Sequence, residues 1–138
     1  MPSAPAFSLA LYSAIAWAVS LEPPPVMTRA RPAATSDASS RQTWLDRAER
    51  DRRRYVLEGK ARYAIQLELA CEVPSLVDAF QHDRGGSMWV LATPFQGRTC
   101  FRVLWGRYGS QQEAARGLSR APGFFSTPKN RPAVVPIR

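Results

Sequence analysis

The chain is poor in the side chains that do chemistry. It has one histidine, His82, and two cysteines, Cys71 and Cys100. Asp83 follows His82, but no motif sets a Ser, a Cys or a second acid beside it, so no nucleophile–base set is assembled. Two cysteines and one histidine fall short of a structural zinc set. There is no phosphate-binding glycine loop and no dinucleotide glycine pattern. No enzyme activity, no metal and no cofactor are therefore expected. Charged side chains are missing from residues 1–20, and long apolar runs are missing throughout. Residues 6–19 (AFSLALYSAIAWAV) are uncharged but short of the roughly 20 residues that a bilayer-spanning helix needs. No cysteine follows this run, so lipoprotein processing is not expected. The run fits the apolar region of a secretory signal, with Ala18 and Ser20 as the small residues before a cleavage after Ser20. Because no Lys or Arg precedes it, residues 1–20 are read as a signal peptide or a short anchor, the chain's one expected membrane contact.

Proline and arginine are plentiful instead. The 138 residues carry 12 Pro, and Lys plus Arg exceed Asp plus Glu by 19 to 11, a net charge of +8. That balance attracts polyanions, whether nucleic acid, anionic lipid or an acidic wall polymer. Residues 21–40 (LEPPPVMTRARPAATSDASS) have three consecutive prolines and no hydrophobic period, and read as a disordered Pro/Ala/Ser linker stiffened around Pro23–Pro25. Residues 41–59 read as a basic amphipathic helix. Thr43 is a candidate cap with Asp46 three residues on. Trp44, Leu45, Ala48, Tyr55 and Val56 form one stripe, and Gly59 is a stop. Such a helix touches an anionic partner, or packs its aromatic stripe on the rest of the chain.

From residue 61 onward, strand and helix patterns alternate. Tyr63 to Leu69 has a period of two. A short helix follows Pro74, with Leu76, Val77 and Phe80 on one side. Gly85-Gly86 marks a turn, and residues 87–93 and 101–108 read as two strands joined by a connection rich in Pro and Gly. Ser110-Gln111-Gln112-Glu113 is a capping box, followed by Ala114, Ala115 and Leu118. Residues 133–137 form a last strand, with Pro136 favouring an edge. The expected fold is α+β: a βαββαβ, RNP-like domain over 61–138, a four-stranded antiparallel sheet with two helices on one face. The other face is then open and is the natural ligand surface.

This pattern resembles the SPOR (sporulation-related repeat) family. The resemblance rests on Tyr63-Ala64-Ile65-Gln66-Leu67, on Phe101-Arg102-Val103-Leu104-Trp105-Gly106-Arg107-Tyr108 running into Ser110-Gln111-Gln112-Glu113-Ala114, and on the closing Ala133-Val134-Val135. Glu68-Leu69-Ala70-Cys71-Glu72 and Gly106-Arg107 depart from the family's glycine-rich turn and Gly-Pro. The resemblance implies non-catalytic binding of peptidoglycan glycan strands stripped of stem peptides, in a cell-envelope or division context. It also implies envelope or division proteins as further partners and a periplasmic or secreted location. Nucleic acid is the alternative partner class, by topology and charge; it is not the expected one, because the aromatic RNA-binding consensus is absent from the third strand. An envelope interaction scaffold is a further alternative.

Strand alternation assigns Tyr63, Ile65, Leu67 and Leu69 to the core and Ala64, Gln66 and Glu68 to the open face. Arg102 and Leu104 join them from the third strand. Amide and guanidinium groups around an apolar platform suit a sugar. The glycan-binding candidates are therefore Gln66, Glu68, Arg102 and Leu104, with Trp89 as either a stacking ring or a core residue. Cys71 and Cys100 are a disulfide candidate in an exported protein. Their parities differ, so pairing them requires a bulge or a strand-end twist.

Overall fold

The computed structural model describes residues 33–138. The expectations for residues 1–20 and 21–32 lie outside the described residues. The chain is α+β, with an open four-stranded antiparallel sheet and three helices. Helix α1 spans Ala33–Asp51 and continues through a wider turn, Arg52–Glu58. After it come β1 (Tyr63–Ala70), α2 (Val73–Gln81), β2 (Met88–Phe95), β3 (Arg98–Tyr108), α3 (Gln111–Gly117) and β4 (Ala133–Pro136). The sheet order is β2-β3-β1-β4.

Helix α1 corrects two expected boundaries. Residues 33–40 are helix, not linker, and the regular helix stops at Asp51, not near Gly59. Ala33, Ala34 and Ala38 are strong helix formers, and the turns after Arg41, which pack on the sheet, propagate back through them. Thr43 is therefore interior, not a cap, and its hydroxyl donates to the Ser39 carbonyl one turn back (3.1 Å). The amide of Gly59 does close the segment, donating five residues back to the Arg54 carbonyl (3.0 Å).

The predicted single stripe on this helix is split between two sides of the sheet. Trp44, Leu45 and Ala48 pack on the main core, built from Ile65, Leu67, Leu76, Val90, Phe101, Val103 and Phe125. Tyr55 and Val56 pack on a second cluster of Ala64, Trp89, Leu91 and Leu104. Helix α1 lies along β2, the edge strand, and the wide turn carries the chain past that edge. Asp51 marks the crossing. Its carboxylate accepts the Val90 amide (3.0 Å), a donor of the edge strand. Burial raises the Asp51 pKa, opposed by that amide and by Arg47, Arg50 and Arg54.

Two register irregularities shape β1 and β3. Between Tyr63↔Tyr108 and Ile65↔Trp105 the extra residue lies on β3, where Gly106 has φ +71°. An added Cβ there would meet the Tyr108 ring at 2.7 Å, so glycine is required. Between Gln66↔Leu104 and Glu68↔Val103 the extra residue lies on β1. Such a bulge leaves a backbone group outside the ladder. The Leu67 carbonyl is taken by Asn130, whose amide donates to it (2.6 Å) and to the Phe125 carbonyl (3.1 Å).

The second bulge resolves the cysteine parity. Past it, Ala70 pairs with Phe101, so Cys71 follows in line with Cys100. The two form a disulfide, Cα–Cα 4.2 Å, closing a sequence separation of 29. The expected capping box is present with one shift: Ser110 accepts the Glu113 amide (3.2 Å), while the Glu113 carboxylate accepts the amide of Gly109 (3.3 Å). No helix of the described residues is long and apolar enough to cross a membrane.

Two stability outcomes follow from these links. Reduction, or the Cys71→Ser/Cys100→Ser double variant, lowers unfolding free energy by about 3–4 kcal/mol for a loop of this length. Denaturant melts with and without reductant measure it, and reductant has no further effect on the double variant. A reactive thiol in the unreduced, denatured protein contradicts the pairing. Asn130→Ala orphans the Leu67 carbonyl and costs about 1–3 kcal/mol in the same assay.

Candidate functional site

The second face of the sheet was the expected ligand surface, and half of it is closed. Ala64 from β1, Leu104 from β3, and Trp89 and Leu91 from β2 are all buried there. Tyr55 and Val56 of the wide turn, Val135 of the neighbouring β4 and Ile137 pack against them. The Tyr55 ring meets Trp89 edge-on, centroids 5.4 Å apart, and the Trp89 indole N–H donates to the Gly106 carbonyl (2.9 Å). Arg107 and Arg54 lie over the Tyr55 ring at 4.3 and 5.2 Å. Trp89 is thus the core residue that was one of its two readings, and Leu104 is core as well, which corrects its place among the glycan-binding candidates. The physical reason is the 52–58 turn: its apolar pair needs a partner, and the sheet face offers apolar area.

Glu68 is corrected as well. It pairs with Val103, a residue of the helix-side core, because the extra β1 residue reverses parity after Gln66. There its pKa is raised, first by burial and then by the Asp78 carboxylate of α2. Leu69, assigned to the core by alternation, instead pairs with Arg102 on the second face.

Gln66 and Arg102 do come together. The Arg102 Nε–H donates to Gln66 Oε1 at 2.9 Å, and both side chains are half-buried. That bond orients both groups and leaves the Gln66 amide N–H donors and the Arg102 terminal N–H donors without a protein partner among the described residues. Burial lowers the Arg102 pKa, but a guanidinium remains charged at neutral pH. Thr93 and Phe95 lie on the same face of β2, and Phe95 is 43% exposed. The uncovered half therefore offers unpaired donors at Gln66 and Arg102, with the Phe95 ring farther along the same face, past Cys100. Sequence reading missed Phe95 because Pro94 and Gly97 make its segment look like a connection; β2 and β3 instead pair out to Phe95↔Arg98.

The disulfide closes the lower end of this patch. Cys100 is fully buried and precedes Arg102 by two residues on the same strand. Arg98 and Arg41 both donate to the Cys71 carbonyl (2.9 and 3.2 Å), and Arg98 also pairs with Glu72, whose pKa is lowered by that contact. Among the described residues no group of three or more His, Cys, Asp or Glu is placed to hold a metal ion. Comparison of the chain with protein-family models, with curated proteins and with solved structures finds no match.

The Glu68–Asp78 pair gives a pH-dependent outcome. A carboxyl with a folded pKa above its ordinary value of 4.5 binds more protons folded than unfolded just above that value. Stability then falls as pH rises from 4.5 through the folded pKa and is level beyond it. Glu68→Gln removes this cost and raises stability at pH 7 by about 0.5 kcal/mol, the scale of a partly exposed charge pair. The gain shrinks to nothing below pH 4. Thermal melts of both proteins across pH check it, and a Glu68→Gln protein less stable at pH 7 contradicts the placement.

Proposed function

We propose that the chain is a non-catalytic, SPOR-like module of the cell envelope that binds peptidoglycan glycan strands at the uncovered half of the sheet's second face. The observation that carries this reading is the Gln66–Arg102 pair with its unspent donors, with exposed Phe95 farther along the same face. Amide and guanidinium donors match the hydroxyls and acetamides of amino sugars, and an aromatic ring gives a sugar its apolar platform. Strands stripped of stem peptides carry free lactyl carboxylates, for which a guanidinium is a bidentate partner and a +8 chain an electrostatic one. The order strand-helix-strand-strand-helix-strand from Tyr63, with β1 and β3 central, supports an RNP-like topology. A disulfide supports an oxidising compartment, periplasmic or extracellular, which fits a signal peptide or short anchor at residues 1–20. Envelope and division proteins are the further partners this setting supplies.

Full-length protein is pelleted with intact sacculi and with amidase-stripped sacculi. Binding is stronger to the stripped form, and the Gln66→Ala/Arg102→Ala variant, still folded by circular dichroism, binds about tenfold or more weakly, as expected for losing charge-assisted bonds. Phe95→Ala weakens it less. A folded protein that pellets with neither form overturns the reading. Tight, salt-sensitive binding to single-stranded RNA in its place moves the function to nucleic acid.

A further inference from the structure

A second concavity lies on the opposite, helix-bearing side of the sheet, away from Gln66 and Arg102. It is a cleft of about 410 Å³ where the end of α2 approaches the turns after α3. That volume is in the range of small-ligand sites. Its lining combines rings and cations: His82, Trp105 and Phe124 with Arg84 and Arg120.

The rings form a fixed wall. His82 and Phe124 stack with centroids 3.5 Å apart and planes within 15°. Phe124 meets buried Phe125 at right angles, 5.1 Å between centroids. The contact anchors Phe124, although it is 48% exposed. Trp105 packs against the main core and is half-buried, so part of its surface remains to line the cleft. These rings present apolar and π surface at a position where the fold gains little from exposing it.

The cations are uncompensated. The described ion pairs engage Arg47, Arg53 and Arg98, and the described side-chain hydrogen bonds engage neither Arg84 nor Arg120. No carboxylate lines the cleft. Two free guanidiniums beside aromatic walls select for an anion on a ring. The planar fork bonds a carboxylate bidentately, and the rings hold the apolar face of its carrier. A bare inorganic anion would leave the aromatic wall unused, and a neutral sugar would leave the guanidiniums unused.

We propose that this cleft binds a ring-borne carboxylate, one sugar or aromatic ring against Trp105 and the His82–Phe124 wall with its carboxylate on Arg84 and Arg120. The site is independent of the glycan-binding reading of the other face. The probes are glucuronate and phenylacetate, with glucose and 2-phenylethanol as the matched neutral rings. Full-length, isotope-labelled protein is titrated with each by NMR, following the Trp105 indole N–H and the His82 ring. At least one acid gives saturable shifts at both residues, binds about tenfold or more tightly than its neutral match, and weakens with added salt. The Arg84→Gln/Arg120→Gln variant changes two exposed side chains, keeps the amide spectrum, and loses at least tenfold in affinity for that acid. Saturation by glucuronate alone assigns a sugar acid, saturation by phenylacetate alone an aromatic acid, and saturation by both a site that reads the carboxylate on either ring. No saturation by either acid at tens of millimolar, equal affinity for the neutral ring, or unchanged affinity in the double variant overturns the proposal.

Discussion

One extra residue in β1, between the pairs Gln66↔Leu104 and Glu68↔Val103, decides the chemistry of both faces. Before it, strand alternation runs as the sequence suggests: Ala64 and Gln66 face one way, Ile65 the other. After it, every side chain changes sides. Glu68 joins the helix side near Asp78, Leu69 stands opposite Arg102, and Cys71 comes level with Cys100. A regular ladder would have left the cysteines on opposite faces. The bulge costs a ladder bond at Leu67, and Asn130, more than sixty residues later, supplies the donor. The disulfide and the asparagine thus both hold the same irregularity, one at its consequence and one at its origin.

The edge of the sheet imposes a second constraint. A strand such as β2 exposes unpaired amides along its outer side, a template for unwanted pairing. Here α1 lies along that edge and Asp51 takes the Val90 amide. Having reached the edge, the chain must pass it to enter β1 at the centre of the sheet, and the wide turn at 52–58 makes that passage. Tyr55 and Val56 then cover Trp89, Leu91 and Leu104. A domain of this size buries little core on one side of a sheet, and a second apolar layer adds to it. The same layer restricts any ligand on that face to the half around Gln66 and Arg102.

Much of this was legible from local patterns. The strands around Tyr63 and Phe101, the Ser110 cap and the Pro136 end carry short-range signals, and each lies where those signals put it. On β1, sheet-face assignment was legible only up to Leu67, because alternation counts residues and cannot see an insertion that depends on pairing with a distant strand. Leu104 was misplaced, and Trp89 left open, for a related reason: the stripe Trp44–Ala48–Tyr55–Val56 announced an apolar surface without saying that a wide turn would divide it between two clusters. Residues 33–40 looked like linker because Ser, Thr and Asp dominate them, yet helix propagation from the packed turns after Arg41 outweighs those weak preferences. Asn130 and Phe124 had no signal, since both act through contacts made only after folding.

The excess of arginine acquires a structural explanation from where the guanidiniums lie. Arg41 sits over Phe101, Arg47 over Phe80 and Trp44, and Arg54 and Arg107 over Tyr55. Each contact joins an aromatic ring of a packed element to a cation near water, and all five involve α1 or the wide turn after it. The weakly hydrated, planar guanidinium suits this use where an ammonium does not, because it stacks while keeping its donors for carbonyls. Arg41 does both, covering Phe101 while donating to the carbonyls of Cys71 and Thr99. Arginine is therefore part of what fastens the N-terminal helix to the sheet, and basic charge alone is a poor guide to a ligand site in this chain. Arg84 and Arg120 line the cleft and Arg102 the uncovered face, and none of the three covers a ring in these contacts or meets a carboxylate. Their charge is left to act on whatever enters the concavity or patch beside them.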